Sequence, residues 1–210
     1  MAISPHYVGI LLAAGKGSRF KAAADHARYA PHKLLAILPN GQSVAQASAT
    51  SLISTLPTTF AVVFDTPKAL PPLLSALGCI ILQAPHDNRG MGISLATAAR
   101  HLLKITPPGM PPPGVVVGLA DMPWVKKETI ANLLAHADTH RIVVPTYDGQ
   151  RGHPVVFGSA FIQELAQLDG DSGARTLLLR YGVIQICCDD AGVILDIDTP
   201  DDLHKTIAAL

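Results

Sequence analysis

Three stretches of this chain, residues 7–12 (YVGILL), 59–64 (TFAVVF) and 115–119 (VVVGL), are apolar at nearly every position instead of at every second one. A strand with one wet face alternates; a strand apolar throughout is covered on both faces, which means a mostly parallel sheet lying between helices. Shorter apolar runs at 79–83, 141–145, 154–157, 183–188 and 193–197 read as further strands. Segments of helical period fall at 43–54, 68–77, 92–105, 126–137, 159–168, 173–181 and 200–209. Strand-length and helix-length segments taking turns predict an α/β fold with helices on both faces of the sheet. The last helix has a strong start: Thr199 as N-cap, Pro200 at the first helical position, and Asp201 and Asp202 in the first turn.

A chain of 210 residues with 49% hydrophobic residues has enough apolar side chain for one sizeable core, burying about 70% of its unfolded surface. Sixteen Lys and Arg face sixteen Asp and Glu, so no general field draws the chain to nucleic acid or to an anionic membrane. Any anion must be held by a local site. The longest charge-free stretch, 34–64, contains Pro39, Asn40, Gln42 and Gln46 and is not a membrane span. The first residues lack the basic region of a secretory signal, so the expected location is the cytoplasm. Cys79, Cys187 and Cys188 lie in apolar, strand-like surroundings and read as reduced core or strand residues. The five prolines of 106–114 predict a stiff surface connection inside one domain, with strands and helices alternating on both sides.

The first strand empties into Leu12, Ala13, Ala14, Gly15, Lys16, Gly17, Ser18 and Arg19. Small residues let the main chain approach a ligand, and successive N–H groups there can cradle an anion, so the loop reads as a phosphate loop with Arg19 as a bidentate partner. The alternative is a tight turn after a buried strand. The loop is neither the dinucleotide fingerprint, whose third glycine would fall at Phe20, nor a P-loop.

Asp121 follows the strand at 115–119, and ligands of open parallel sheets collect at the carboxyl ends of strands. A carboxylate there suits Mg²⁺ in phosphoryl-type chemistry; the bland alternative is a cap for the helix near Lys126. Asp196 and Asp198, at i and i+2, would share one face of a strand, and either one could complete a metal site. Gly90 and Gly92, ahead of a helix that Ser94 could cap, offer a second turn with free N–H groups. His153, beside Arg151, joins Asp171 and Arg175 as a pocket suited to an anionic ligand. His32 and the other histidines show no ligand spacing and are expected to be structural or exposed.

Taken in order, LAAGKGSRF, HKLL, NRGMGISL, LADMP, GHPV, GDSGAR and DIDTPDDL resemble the MobA-like nucleotidyltransferases, over nearly the whole chain. The resemblance implies a Rossmann-like three-layer nucleotidyltransferase fold. It also implies an N-terminal nucleotide-binding part and an acceptor-binding part at roughly 147–182. It further implies that Leu12, Ala13, Ala14, Gly15, Gly17, Ser18, Arg19, Gly90, Gly92 and Ser94 contact the nucleotide. Arg19, Lys33 and Asp121 would be catalytic, Asp121 with Asp198 would hold Mg²⁺, and His153, Asp171 and Arg175 would bind the acceptor.

GHPV, GDSGAR and DIDTPDDL resemble the molybdenum cofactor cytidylyltransferase branch in particular, which joins CMP from CTP to Mo-molybdopterin; a recipient molybdenum enzyme that takes the product directly is a further expected partner. Ala14 stands where guanylyltransferases of the family tend to carry a second glycine, which favours the smaller pyrimidine. GTP in place of CTP, another phosphorylated acceptor such as a sugar or alditol phosphate, and a non-enzymatic cofactor carrier or insertion protein are the alternatives. The chain departs from the pattern at 21–31, KAAADHARYAP, where the family has only a few residues. Lys16 and Lys21 therefore stand beside Lys33 as candidates for the phosphate lysine.

Overall fold

A computed structural model describes residues 6–15, 17–23, 32–65, 67–85, 90–170 and 173–204. Eight strands among them form one sheet: β1 (Tyr7–Leu12), β2 (Thr59–Val63), β3 (Ile80–Gln83), β4 (Gly114–Leu119), β5 (Ile142–Tyr147), β6 (Gln150–Arg151), β7 (Val155–Phe157) and β8 (Ile184–Cys187). The order is β3-β2-β1-β4-β7-β5-β6, with β8 paired to β5. The β1–β2, β1–β4, β2–β3 and β5–β8 pairs are parallel, and only β6 and β7 run against their neighbours.

The double-sided burial expected of the central strands is what the sheet shows. Along β1, Val8, Ile10 and Leu12 pack on one face and Leu11 on the other. The first face is covered by α4 (Met91–Ile105), α6 (Ile162–Leu165) and α7 (Arg175–Tyr181). The second is covered by α2 (Val44–Thr55), α3 (Leu70–Ala76) and α5 (Lys127–Ala135). A short α1 (Ser18–Ala23), which no sequence periodicity announces, puts Phe20 into the second layer. The start of α2 is fixed by a capping box: the Ser43 hydroxyl accepts from Gln46 N–H, and the Gln46 side-chain carbonyl accepts from Ser43 N–H.

Several elements differ from expectation for identifiable reasons. The strand expected at 193–197 is a 3-10 turn, Ala191–Ile194, followed by non-ladder backbone. Its polar groups go to loops: Val193 C=O accepts from His153 N–H (2.8 Å), and Ile197 N–H donates to Asp121 C=O (2.9 Å). Residues 159–168 hold a 3-10 turn, Ser159–Phe161, and the single turn of α6. The last expected helix is a 3-10 turn, Pro200–His204, and 205–209 lie outside the described residues. There the Asp202 carboxylate reaches back to the N–H groups of Asp198 and Thr199 and to the Thr199 hydroxyl. β5 runs two residues further than expected into a hairpin with β6. Asp148 and Gly149 both have positive φ, the Asp-Gly signature of a two-residue turn. Cys79 is buried as expected, whereas Cys187 is exposed on β8.

The segment that follows β8 is bolted to the start of α5 by Asp190, 2% exposed. Its carboxylate accepts from Lys126 N–H (2.9 Å), the Thr129 hydroxyl (2.6 Å) and Gly192 N–H (3.0 Å). It is thus Asp190, rather than Asp121, that serves the amino end of α5. Removing a buried acceptor leaves three donors without their partner. Asp190→Ala is expected to lose about 3 kcal/mol of folding stability, read as a lower urea midpoint, and an unchanged midpoint would contradict the bolt.

Candidate active site at the carboxyl end of the sheet

β1 and β4 are parallel neighbours with Leu12 opposite Leu119, so the loops that leave them emerge side by side. A hydrogen bond from Ala120 N–H to Leu12 C=O (3.0 Å) joins the two exits. Ala13 is buried and its N–H is taken by Val62 C=O, Ala14 is half-buried, and Gly15 is exposed. Gly17 turns the loop with φ +58°, and a Cβ on it would lie 3.3 Å from Lys33 Cγ. A side chain there would be strained by the backbone and pressed on the lysine stem, which is why glycine suits the position.

Lys33 opens a 3-10 turn, Lys33–Leu35, and is 7% exposed. Its ammonium donates to Asp121 Oδ2 at 2.6 Å and to Asp198 Oδ1 at 3.2 Å. Burial would pull the ammonium's pKa down. The Asp121 carboxylate, by charge and hydrogen bond, and then Asp198 outweigh it, so Lys33 titrates above the ordinary lysine range. Asp121 is held from its main chain by Ile197 N–H, which also brings 196–198 to the site. Asp196 and Asp198 do not sit on a strand. Asp198 meets Lys33, and Asp196, partly exposed, has its carboxyl pushed up by burial and by Asp198 and Asp121. The first-strand loop, the middle aspartate and the late aspartate therefore converge on one ammonium.

Other expected residues are placed as follows. Ser18 and Arg19 begin α1, their side chains outside the described set, as are Lys16 and Asp171. Lys21 is exposed in the last turn of α1. Helix α4 starts at Met91, not near Ser94, and Gly90 is its N-cap without a side-chain cap. The Gly92 N–H, expected to be free, donates to Gly170 C=O (3.0 Å), and the buried Ser94 hydroxyl donates to Gly90 C=O (3.1 Å). The Gly92 N–H is therefore not free, contrary to expectation, while the Ser94 hydroxyl donates within its own helix instead of capping it.

Beside this centre lies a cavity of ≈ 250 Å³, largely apolar, with Leu12, Met91, Arg151, His153, Phe157 and Arg175 among its walls. It unites His153 and Arg175 as expected, and adds Met91 from the start of α4. His153 is held by a close packing: a Cβ on Gly152 would lie 2.1 Å from Val193 C=O, so only glycine lets the loop approach. Its Nδ1 is buried with no hydrogen-bond partner among the described residues. Burial lowers its pKa against the opposing pull of the Val117 backbone and the Asp121 charge.

The sequence of this centre has kin. The sequence model of the MobA-like NTP transferase domain matches residues 9–184. The chain belongs to this family of nucleotidyltransferases. Purine catabolism protein PucB of Bacillus subtilis is 27% identical over 99% of the chain and 98% of its own length. Among solved structures, Rv0371c of Mycobacterium tuberculosis superposes with TM-score 0.76 at 24% identity, over 98% of this chain and 100% of that one. A manganese complex of Rv0371c gives 0.73 at the same identity and coverage. A nucleotidyl transferase from Methanothermobacter gives 0.76 at 21% identity over 94% of both chains. These likenesses establish the three-layer nucleotidyltransferase fold.

His32, expected to be merely structural or exposed, sits at the centre. It caps the Lys33 turn, its Nδ1 accepting from Leu34 N–H at 3.3 Å, and its ring hydrogen-bonds the Gly15 backbone. The ring thus spans the glycine loop and the lysine. Its one sequence signal is position: a residue just before Lys33 with an sp² nitrogen able to imitate an Asn cap. Burial and the Lys33 charge lower its pKa, with the Gly15 contact opposing them.

His32 and His153 both fold as neutral rings with lowered pKa values. Unfolding lets them take up protons near pH 6.5. Their contribution to stability is therefore complete above about pH 6.5 and shrinks as pH falls toward the folded pKa values. Urea unfolding at pH 7.5 and 5.5 should show a larger acid loss for the wild type than for His153→Gln, whose side chain does not titrate. Equal losses would refute neutral burial of the ring.

Proposed function

We propose that the chain is a Mg²⁺-dependent molybdenum cofactor cytidylyltransferase, which joins CMP from CTP to the terminal phosphate of Mo-molybdopterin to give molybdopterin cytosine dinucleotide and pyrophosphate. The observation that carries this reading is the Lys33 ammonium set between Asp121 and Asp198 beside the Gly17 turn. The reading is supported by a cation, a glycine turn and two carboxylates meeting near the ends of β1 and β4, where open sheets bind nucleotides.

The carboxylate pair fits a hard divalent cation, because the ammonium already marks the spot as one that holds positive charge between two anionic oxygens. When bound, such a cation would neutralise charge on the α-phosphate and the departing pyrophosphate. The rest falls to the chain. Lys33 and Arg19 would bind the triphosphate, and the backbone of 13–17 would orient it. The acceptor phosphate is already ionised, so its oxygen attacks the α-phosphorus as the bond to the bridging oxygen breaks, and no general base is needed. Positioning and charge neutralisation provide the rate.

The N-terminal part would hold CTP, with the Ala14 methyl narrowing the loop against a larger purine, and 147–182 would hold the acceptor. Arg151 and Arg175 give the adjoining cavity two cations, and its apolar walls suit a flat ring system. PucB is named for purine catabolism, and the reading extends to a recipient molybdenum enzyme of such a pathway; the cytoplasm is the location that goes with it.

Pyrophosphate release measured with CTP, GTP, UTP and ATP, with Mo-molybdopterin as acceptor, should be fastest with CTP. A clear preference for GTP would overturn the cytidyl assignment, and release only with a sugar or alditol phosphate would overturn the acceptor. Tight binding of finished cofactor without any release would mark a carrier. Asp121→Asn is expected to keep the circular dichroism of the fold while lowering turnover by about two to three orders of magnitude; an active Asn variant would remove Asp121 from the mechanism.

A further inference from the structure

The ammonium that identifies the site also obstructs it. Lys33 Nζ lies 2.6 Å from Asp121 Oδ2 and 3.2 Å from Asp198 Oδ1, and so occupies lone pairs that a divalent cation would use. A cation about 2.1 Å from each oxygen and an ammonium at hydrogen-bonding distance from both cannot share the space between them.

The protein offers little else to tip the contest. Among the described residues, no group of three or more His, Cys, Asp or Glu side chains is arranged to hold a metal. Two carboxylates alone leave most of an octahedral shell to be filled by water or by phosphate oxygens. Lys33 with Asp121 and Asp198 carries a formal net charge of −1, which repels a bare triphosphate. Both charges change hands at once if the ammonium leaves the carboxylates for the triphosphate while a divalent cation takes its place.

The route for that transfer is short. The Lys33 stem packs along Gly17, its Cγ 3.3 Å and its Cδ 3.8 Å from where a Cβ there would stand. The base of the side chain is already at the loop, and only its outer bonds must rotate.

We infer that Lys33 is an exchangeable internal cation. It fills the carboxylate pair until a nucleoside triphosphate draws it onto the phosphates, so that the divalent cation is admitted with the nucleotide and not before it. The inference rests on Asp121 and Asp198 being the cation ligands, and it gives Lys33 a second role, that of keeping free divalent cations out.

Mn²⁺ is the probe, its binding followed by the paramagnetic resonance of the free ion, with no turnover required. Wild type without nucleotide should bind Mn²⁺ weakly, and CTP should tighten binding strongly. Lys33→Met should bind Mn²⁺ without nucleotide about tenfold more tightly than wild type, or better, since the carboxylates lose their competitor. CTP should add far less to this variant. Lys33→Gln, which keeps a neutral donor, should lie between the two and serves if the Met variant does not fold. Equal Mn²⁺ affinity in wild type and either variant without nucleotide overturns the exchange while leaving the metal site standing. Failure of every variant to bind Mn²⁺, even with CTP, overturns the carboxylates as ligands and the exchange with them.

Discussion

A buried ammonium has to be paired, and in this molecule its partners come from segments 88 and 165 residues away. Lys33 follows the first-strand loop, Asp121 follows β4, and Asp198 lies near the end of the described chain. The only way to pair the charge is to bring all three to one edge of the sheet. A hydrophobic layer does not demand this, because apolar contacts are interchangeable and the two layers here would tolerate some sliding of their helices. The ion triad does not tolerate it. Loss of one carboxylate leaves the ammonium half-compensated, and loss of the lysine removes the group that Asp121 and Asp198 share.

Positioning that triad takes a chain of main-chain contacts. Val193 C=O accepts from His153 N–H, Ile197 N–H donates to Asp121 C=O, and the Asp202 carboxylate holds the N–H groups of Asp198 and Thr199. Asp190 fastens the start of the same segment to α5. The stretch from 190 to 202 therefore binds through both its ends and its middle, with Ile197 fully buried between two aspartates. An extended strand would have directed those backbone groups into a ladder and left the loops at 121 and 153 unsupported. Forgoing sheet structure at 193–197 is what connects the His153 loop to the carboxylates.

That trade also marks the boundary of what could be read from residues alone. The central strands were legible because continuous apolar sequence has few other uses, and Asp121 because it follows a buried strand, whereas Lys33 and Asp198 were singled out by the family resemblance and their pairing was not foreseen. The segment at 193–197 was not. Val-Ile-Leu-Asp-Ile has strand composition, and only the partners of its N–H and C=O groups, far away in sequence, decide otherwise. His32 escaped for the same reason: one histidine among nine carries no periodicity, and its contact with Gly15 depends on how the loop folds back. Ser94 differs from expectation through a boundary, since a helix start at Met91 turns an N-cap into an interior hydroxyl bonded to its own helix. The Asp148-Gly149 turn was missed although the dipeptide has a known geometry that announces a hairpin.

The cavity lined by Arg151, His153 and Arg175 poses the remaining physical question, which of its groups would attract an anion. His153 is the polar residue set deepest in its wall, but burial holds it neutral. A neutral imidazole offers an anion one hydrogen bond at most and no net charge, and the Asp121 carboxylate nearby makes its surroundings still less welcoming. On the proposed reading, attraction must then come from Arg151 and Arg175 at the cavity wall, whose guanidinium groups stay charged and bind phosphate oxygens in pairs. His153 instead lends shape: held by its N–H on Val193 C=O and by the close approach of Gly152 to Val193, it forms part of the cavity wall. An acceptor would be drawn by the arginines, seated by the walls, and stopped with its phosphate facing the carboxylates. Selectivity of this kind depends on where the ring system stops and not on how strongly the phosphate is held.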